Sequence, residues 1–151
     1  MARKPRYLVA TDFSPGSRSA LEAARKLARR TGAALGVAHV RPSSDMRAAV
    51  AEERGDLLRA GSGSLSRAIE EHYDRKLAAW VRPRRHERVL LLRGAPDVAL
   101  LREARRGYDT IVLGSHGRGA VPTLLMGSTV QRVLSRAGVP VLVVPSPRTA
   151  G

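Results

Sequence analysis

Between Gly114 and Ser128 the chain reads Gly-Ser-His-Gly-Arg-Gly-Ala-Val-Pro-Thr-Leu-Leu-Met-Gly-Ser, so two residues separate Gly114 from Gly117 and nine more precede Gly127. Glycines at a strand exit let the backbone take positive φ and come close to a ligand, so that successive amide N–H groups can line an anion. Gly127, Ser128 and Thr129 open the last predicted helix, whose unpaired N–H groups and positive dipole end favour phosphate. Two anion-binding elements flanking one crevice suit a polyphosphate. The competing reading is a plain strand-to-helix loop with turn glycines and a Ser128 cap. A phosphate loop ending in Gly-Lys-Ser or Gly-Lys-Thr is missing, as is a Gly-x-Gly-x-x-Gly after the first strand, which argues against the classical NTPase and dinucleotide folds.

Such a loop needs a scaffold, and the apolar pattern supplies one. Tyr7 to Thr11 is a short continuous apolar run, as expected of a strand buried on both faces of a parallel sheet, and it stops at Asp12. Ser14 and Pro15 start a helix in which Leu21, Ala24, Leu27 and Ala28 recur at helical spacing until Gly32. A second strand covers Ala33 to Val40. Residues 46–60 read as helical, Gly61-Ser62-Gly63-Ser64 as a turn, and Leu65 to Val81 as a further helix. The third strand is Val89 to Leu92, followed by a Gly94-Ala95-Pro96 turn and a helix over Asp97 to Arg106. Tyr108 to Leu113 is the fourth strand, and Val130 to Ala137 lies on the last helix, stopped by Gly138. Val139 to Val144 is the fifth strand, whose Pro140 lacks a ladder donor and so favours an edge.

This alternation predicts a single α/β domain over residues 1–151, a Rossmann-like doubly wound parallel sheet of five strands with four helices. In such a sheet a ligand sits beyond the carboxyl ends of the strands, where strand order reverses. Asp12, Val40 and Gly114 all fall at such ends.

Composition narrows the function classes. The chain has no cysteine, which removes disulfides, thiolate metal sites and cysteine nucleophiles and suits a reducing cytoplasm. No apolar run approaches the length of a membrane span and the amino terminus has no targeting pattern, so a cytoplasmic protein is expected. The 27 basic and 13 acidic residues leave a net charge of +14. Most arginines, such as Arg25, Arg29, Arg30, Arg105, Arg106 and Arg132, are read as solvated helix faces, while Arg82, Arg84, Arg85 and Arg88 form a dense cluster that would be the footprint of a nucleic-acid partner.

Thr11-Asp12-Phe13-Ser14, the Gly94-x-Pro96 turn, Asp109 to Arg118, Leu125-Met126-Gly127-Ser128 and Val139 to Val144 together resemble the universal stress protein family. The Gly-x2-Gly-x9-Gly-Ser spacing is similar to that of its ATP-binding branch. The resemblance covers the chain except residues 43–86, and implies an adenine nucleotide alpha-hydrolase-like fold. It places adenine near Asp12 and Val40, and ribose and phosphates against Gly114, Ser115, His116, Gly117, Arg118, Gly127, Ser128, Thr129 and Val130. It also implies ATP, or a related adenine nucleotide, with Mg²⁺ or Mn²⁺, a regulatory role in stress responses, and a homodimer paired through Val139 to Val144. Ala10 departs from the pattern, standing where some members have proline. Asp12 would accept from the adenine amino group, help hold a phosphate-bound divalent ion, or merely cap the first helix. His116 reads as a loop residue offering its backbone N–H rather than a base, so catalysis is at most slow ATP hydrolysis, with no catalytic residue assigned.

Overall fold

Strand β1 (Arg6–Thr11) is apolar through its middle because it has a partner on each side and helices on both faces, with Leu8 and Val9 fully buried. The computed structural model describes residues 2–41, 62–117 and 126–146. The expected helix over 46–60 lies outside them. After β1 the chain turns into helix α1 (Pro15–Thr31). Ser14 caps it, its Oγ accepting from the Ser17 N–H at 3.2 Å, and Pro15 occupies the first turn, where a missing donor costs nothing. Gly32 closes it at φ 71°, donating to the Ala28 carbonyl.

The remaining elements are β2 (Ala34–Arg41), α2 (Ser62–Val81), β3 (Glu87–Arg93), α3 (Pro96–Ala104), β4 (Thr110–Gly114), α4 (Ser128–Arg136) and β5 (Val141–Val144). All five strands are parallel, in the order β3-β2-β1-β4-β5. Strand order therefore reverses between β1 and β4, and β5 is an edge, with Pro140 just ahead of it accepting from the Ile111 N–H. Alternate side chains divide the core in two. Val9, Val37, Leu21, Ala24, Leu77 and Val81 pack on the side of α1 and α2. Leu8, Ile111, Leu100, Ala104 and Val133 pack on the side of α3 and α4.

Two expectations need correction. Ser62 to Ser64 do not form a separate turn; they are the opening turn of α2, where unpaired N–H groups make small residues as suitable as good helix formers. Arg25 is no solvated residue either. It is buried, and its guanidinium meets Glu87 through Nε–Oε1 at 2.8 Å and Nη2–Oε2 at 2.7 Å, also donating to the Val81 carbonyl. The pair ties α1 to the connection that leads into β3.

At the amino end of the sheet, Asp109 accepts from the Arg6 N–H at 2.8 Å and from Arg3 Nη2 at 2.6 Å, locking the start of β1 to that of β4. The Arg6 amide, then the Arg3 guanidinium, hold its carboxyl below the usual aspartate value. Tyr108 lies across β2, under the Arg6 guanidinium 4.4 Å from its ring centre, and burial pushes its phenol up. A β-carbon on Gly36 would overlap the Tyr108 hydroxyl. Gly36→Ala is therefore expected to cost about 1–3 kcal/mol by overpacking. Urea unfolding measures this, and a loss under about 0.5 kcal/mol would mean that the Tyr108 ring swings aside freely.

Candidate functional site

A cavity of about 340 Å³ opens at the carboxyl ends of the strands, between β1 and β4. Its apolar wall comes from the α3 and α4 side of the sheet: Ala10 on β1, Ala38 and Val40 on β2, Leu113 on β4, with Leu100 and Val130 from the helices. The small Ala10 and Ala38 leave the space. Asp12, just past the end of β1, lines the cavity beside Gly117 of the glycine loop.

The glycines are required by close approach. A β-carbon on Gly114 would fall 2.8 Å from the carbonyl of Gly16, and one on Gly16 would fall 2.5 Å from that of His116. The exit of β4 thus runs directly against the first turn of α1. At Gly117 the obstacle is different: a β-carbon would collide with the Asp12 carboxylate. That carboxylate accepts from the Ser14 N–H at 3.0 Å through Oδ1, so Asp12 both shapes the turn into α1 and lines the cavity.

On the far side α4 begins. Gly127 is its extended N-cap, at φ −68° and ψ 159°, and no side chain caps the helix. The Gly127 N–H donates to the Ser115 carbonyl at 2.8 Å, which holds the start of α4 against the β4 exit and turns the Ser128, Thr129 and Val130 end toward the cavity. An uncapped helix start beside a glycine-bounded loop presents N–H donors to an anion.

Of the residues singled out by sequence, Asp12, Val40, Gly114, His116, Gly117, Gly127, Ser128, Thr129 and Val130 line the cavity together. Ser115 does not line it. Its Oγ accepts from the Ser146 N–H at 3.1 Å and lies 3.1 Å from His116 Nδ1, while its N–H donates to the Val144 carbonyl, so it fastens the loop to the end of β5. Arg118 lies outside the described residues. Sequence reasoning missed the Thr11, Ser17 and His39 contributions. His39 Nδ1 is 2.8 Å from the Thr11 carbonyl, and the imidazole lies tilted against Phe13, itself at φ 66°, with ring centres 4.4 Å apart. Its place one residue before Val40, at the carboxyl end of β2, was the available signal.

Among the described residues Asp12, His39 and His116 are the titratable side chains on the cavity wall, and no three acidic, histidine or cysteine groups cluster as a metal site. One carboxylate fits a divalent ion held chiefly by a ligand's phosphates and water, the usual habit of Mg²⁺.

A doubly wound parallel sheet with a glycine-bounded crevice where strand order reverses is the architecture of nucleotide-binding α/β proteins. The chain belongs to the universal stress protein family, whose sequence profile matches residues 5–145. A universal stress protein of Thermus aquaticus, encoded in the 3′ region of a QAH/OAS sulfhydrylase gene, is 46% identical over 59 residues, which is 38% of this chain and 43% of that protein. The match thus spans less than half the length of that relative. Among solved structures, UspA of Lactobacillus plantarum superposes with a TM-score of 0.69 at 23% identity, over 95% of this chain and 99% of that one. A universal stress protein in complex with cAMP gives a TM-score of 0.60 at 22% identity, over 97% and 100%. These two likenesses concern the fold. Among the described residues no helix is long and apolar enough to cross a membrane.

Proposed function

We propose that this protein binds an adenine nucleotide, ATP or a close relative, in the cavity between β1 and β4 and acts as a nucleotide-responsive regulatory module of the cytoplasm. The observation that carries the proposal is the convergence of Gly114, Gly117 and Gly127 on one cavity with the uncapped start of α4. The apolar wall of Ala10, Ala38 and Val40 suits a flat base, and the glycine loop with Ser128 and Thr129 suits its phosphates. Asp12 stands at the rim, where it can accept from an exocyclic amino group or take part in the coordination of Mg²⁺ or Mn²⁺ carried by the phosphates. A structural relative in complex with cAMP supports an adenine-bearing ligand. Pairing of two chains through β5 would cover the exposed Leu142 on that edge strand and is proposed with it.

The test is a thermal-shift series with ATP, ADP, AMP, cAMP and GTP, each with and without Mg²⁺. An adenine nucleotide at one hundred times its dissociation constant is expected to stabilise the fold by about 2.7 kcal/mol. For a domain of this size that raises Tm by roughly 5–11 °C. If no adenine nucleotide moves the transition, the reading fails.

A further inference from the structure

The excess positive charge is gathered at one end of the molecule. Three hydrogen bonds fix which segments meet there: Ala34 N–H to the Pro5 carbonyl, Leu35 N–H to that of His86, and Asp109 N–H to that of Arg6. The segments 2–6, 26–33, 82–88 and 102–109 therefore lie side by side along the amino ends of the strands, the end opposite the cavity. They hold thirteen basic residues against three acidic ones, so most of the +14 surplus is concentrated there. Each acidic residue is already paired within the fold: Glu87 with Arg25, Glu103 with Arg106 and Asp109 with Arg3.

Helix dipoles explain part of this pattern, since Arg29 and Arg30 sit in the last turn of α1, where cations are favoured. They do not explain Arg84 and Arg85, which are exposed in a connection. That connection is held from below. Glu87 accepts from the Arg84 N–H at 2.9 Å, the Glu87 N–H returns to the Arg84 carbonyl at 3.0 Å, and Arg25 holds the Val81 carbonyl. Arg82 and His86 take φ of 49° and 70°, conformations that side chains other than glycine adopt only when their surroundings impose them. A buried ion pair thus displays two guanidinium groups on a fixed loop.

We infer that this amino-end face is a binding surface for the phosphate backbone of double-stranded nucleic acid. Guanidinium groups engage phosphate bidentately, which suits a face where eleven of the thirteen basic residues are arginine. From β3 to β4 the row covers three strand spacings, roughly 14 Å, within which a duplex presents about eight charges. The chemistry of the face separates this partner from other polyanions. Its tyrosines Tyr7 and Tyr108 are buried, which leaves the His86 imidazole as the one exposed aromatic ring in the four segments, where single strands stack on a succession of rings. The exposed large apolar residues among those described, Val98, Leu134 and Leu142, lie on α3, α4 and β5, outside the four basic segments, so nothing there would anchor it in a lipid surface.

The experiment is fluorescence anisotropy of the full chain with a labelled mixed-sequence 20-base-pair duplex, as DNA and as RNA, between 50 and 200 mM salt. Engagement of about six phosphates weakens binding on the order of 10³-fold across that range. Arg84→Gln with Arg85→Gln keeps the Arg84 amide bond to Glu87 and is expected to weaken binding about ten-fold and make the salt slope shallower by about two. Arg67→Gln with Arg132→Gln removes the same charge from the exposed flanks of α2 and α4 and is expected to change affinity less than about two-fold. Unchanged melting temperatures establish that both variants are folded. The inference is overturned if neither duplex binds, if the flank variant loses as much as the loop variant, or if a single strand or phosphatidylserine vesicles bind more tightly than the duplex.

Discussion

Gly117→Val is expected to abolish the nucleotide-dependent rise in melting temperature. The substituted β-carbon meets the Asp12 carboxylate, and the branched side chain beyond it projects from the loop that lines the cavity. Either the loop moves off the cavity or Asp12 gives up its hydrogen bond to the Ser14 N–H, a loss of about 1 kcal/mol. Both outcomes spoil the proposed site. A hundred-fold loss of affinity at fixed ligand reduces the stabilisation from about 2.7 to about 0.4 kcal/mol, a Tm shift near the limit of detection. Because Gly117 is exposed, the ligand-free melting temperature is expected to fall by no more than roughly 2–4 °C, the equivalent of that one hydrogen bond. A variant stabilised as strongly as the wild type would show that the glycine loop does not touch the ligand.

Arg25→Met is expected to be the most destabilising of these substitutions, at about 3–5 kcal/mol, because it leaves the buried Glu87 carboxylate without its cation. Calorimetry should record a fall in Tm of roughly 6–20 °C. The pH dependence provides a sharper check. Burial alone would raise the Glu87 carboxyl, but the hydrogen bonds from Arg25 and the Arg84 N–H, with the charge of Arg25, outweigh it and hold the group below its ordinary value of 4.5. A carboxyl depressed in the folded state stabilises above its unfolded value, and that contribution is lost as pH falls through the folded one. In Arg25→Met burial acts without its main opponent, so protonating Glu87 relieves the variant. The stability gap between wild type and Arg25→Met should therefore narrow between pH 7 and pH 4. A constant gap would mean that packing of the arginine stem, not the ion pair, carries the effect.

The strands were legible because a parallel sheet covered on both faces demands unbroken apolar runs, and Tyr7 to Thr11 and Ile111 to Leu113 have no other plausible use. Helix α1 was legible at both ends, since Ser14, Pro15 and Gly32 each supply a local signal. The start of α2 was not, because glycine and serine are as common in turns as in the first turn of a helix. In the candidate site the glycine spacing located the loop, and the order of strands brought Asp12 and Val40 to it. Ser115 shows the limit of that reasoning. Spacing places a residue in a loop, but whether its side chain turns toward the cavity or toward Ser146 depends on contacts 31 residues away. Arg25 was misread for a similar cause, as its partner lies 62 residues further along the chain.

The position of β1 in the sheet also bears on how the protein is made. Tyr7 pairs with Thr110, so β1 acquires its second neighbour only after more than a hundred residues have been added. At a synthesis rate of about 5–20 residues per second, the apolar edge of β1 waits at least several seconds for β4. During that interval β1, α1, β2 and β3 can associate, but the rim between Asp12 and Gly117 does not yet exist. The nascent chain is thus most open to mispairing at the strand that later becomes its centre, and the cavity is among the last parts of the molecule to form.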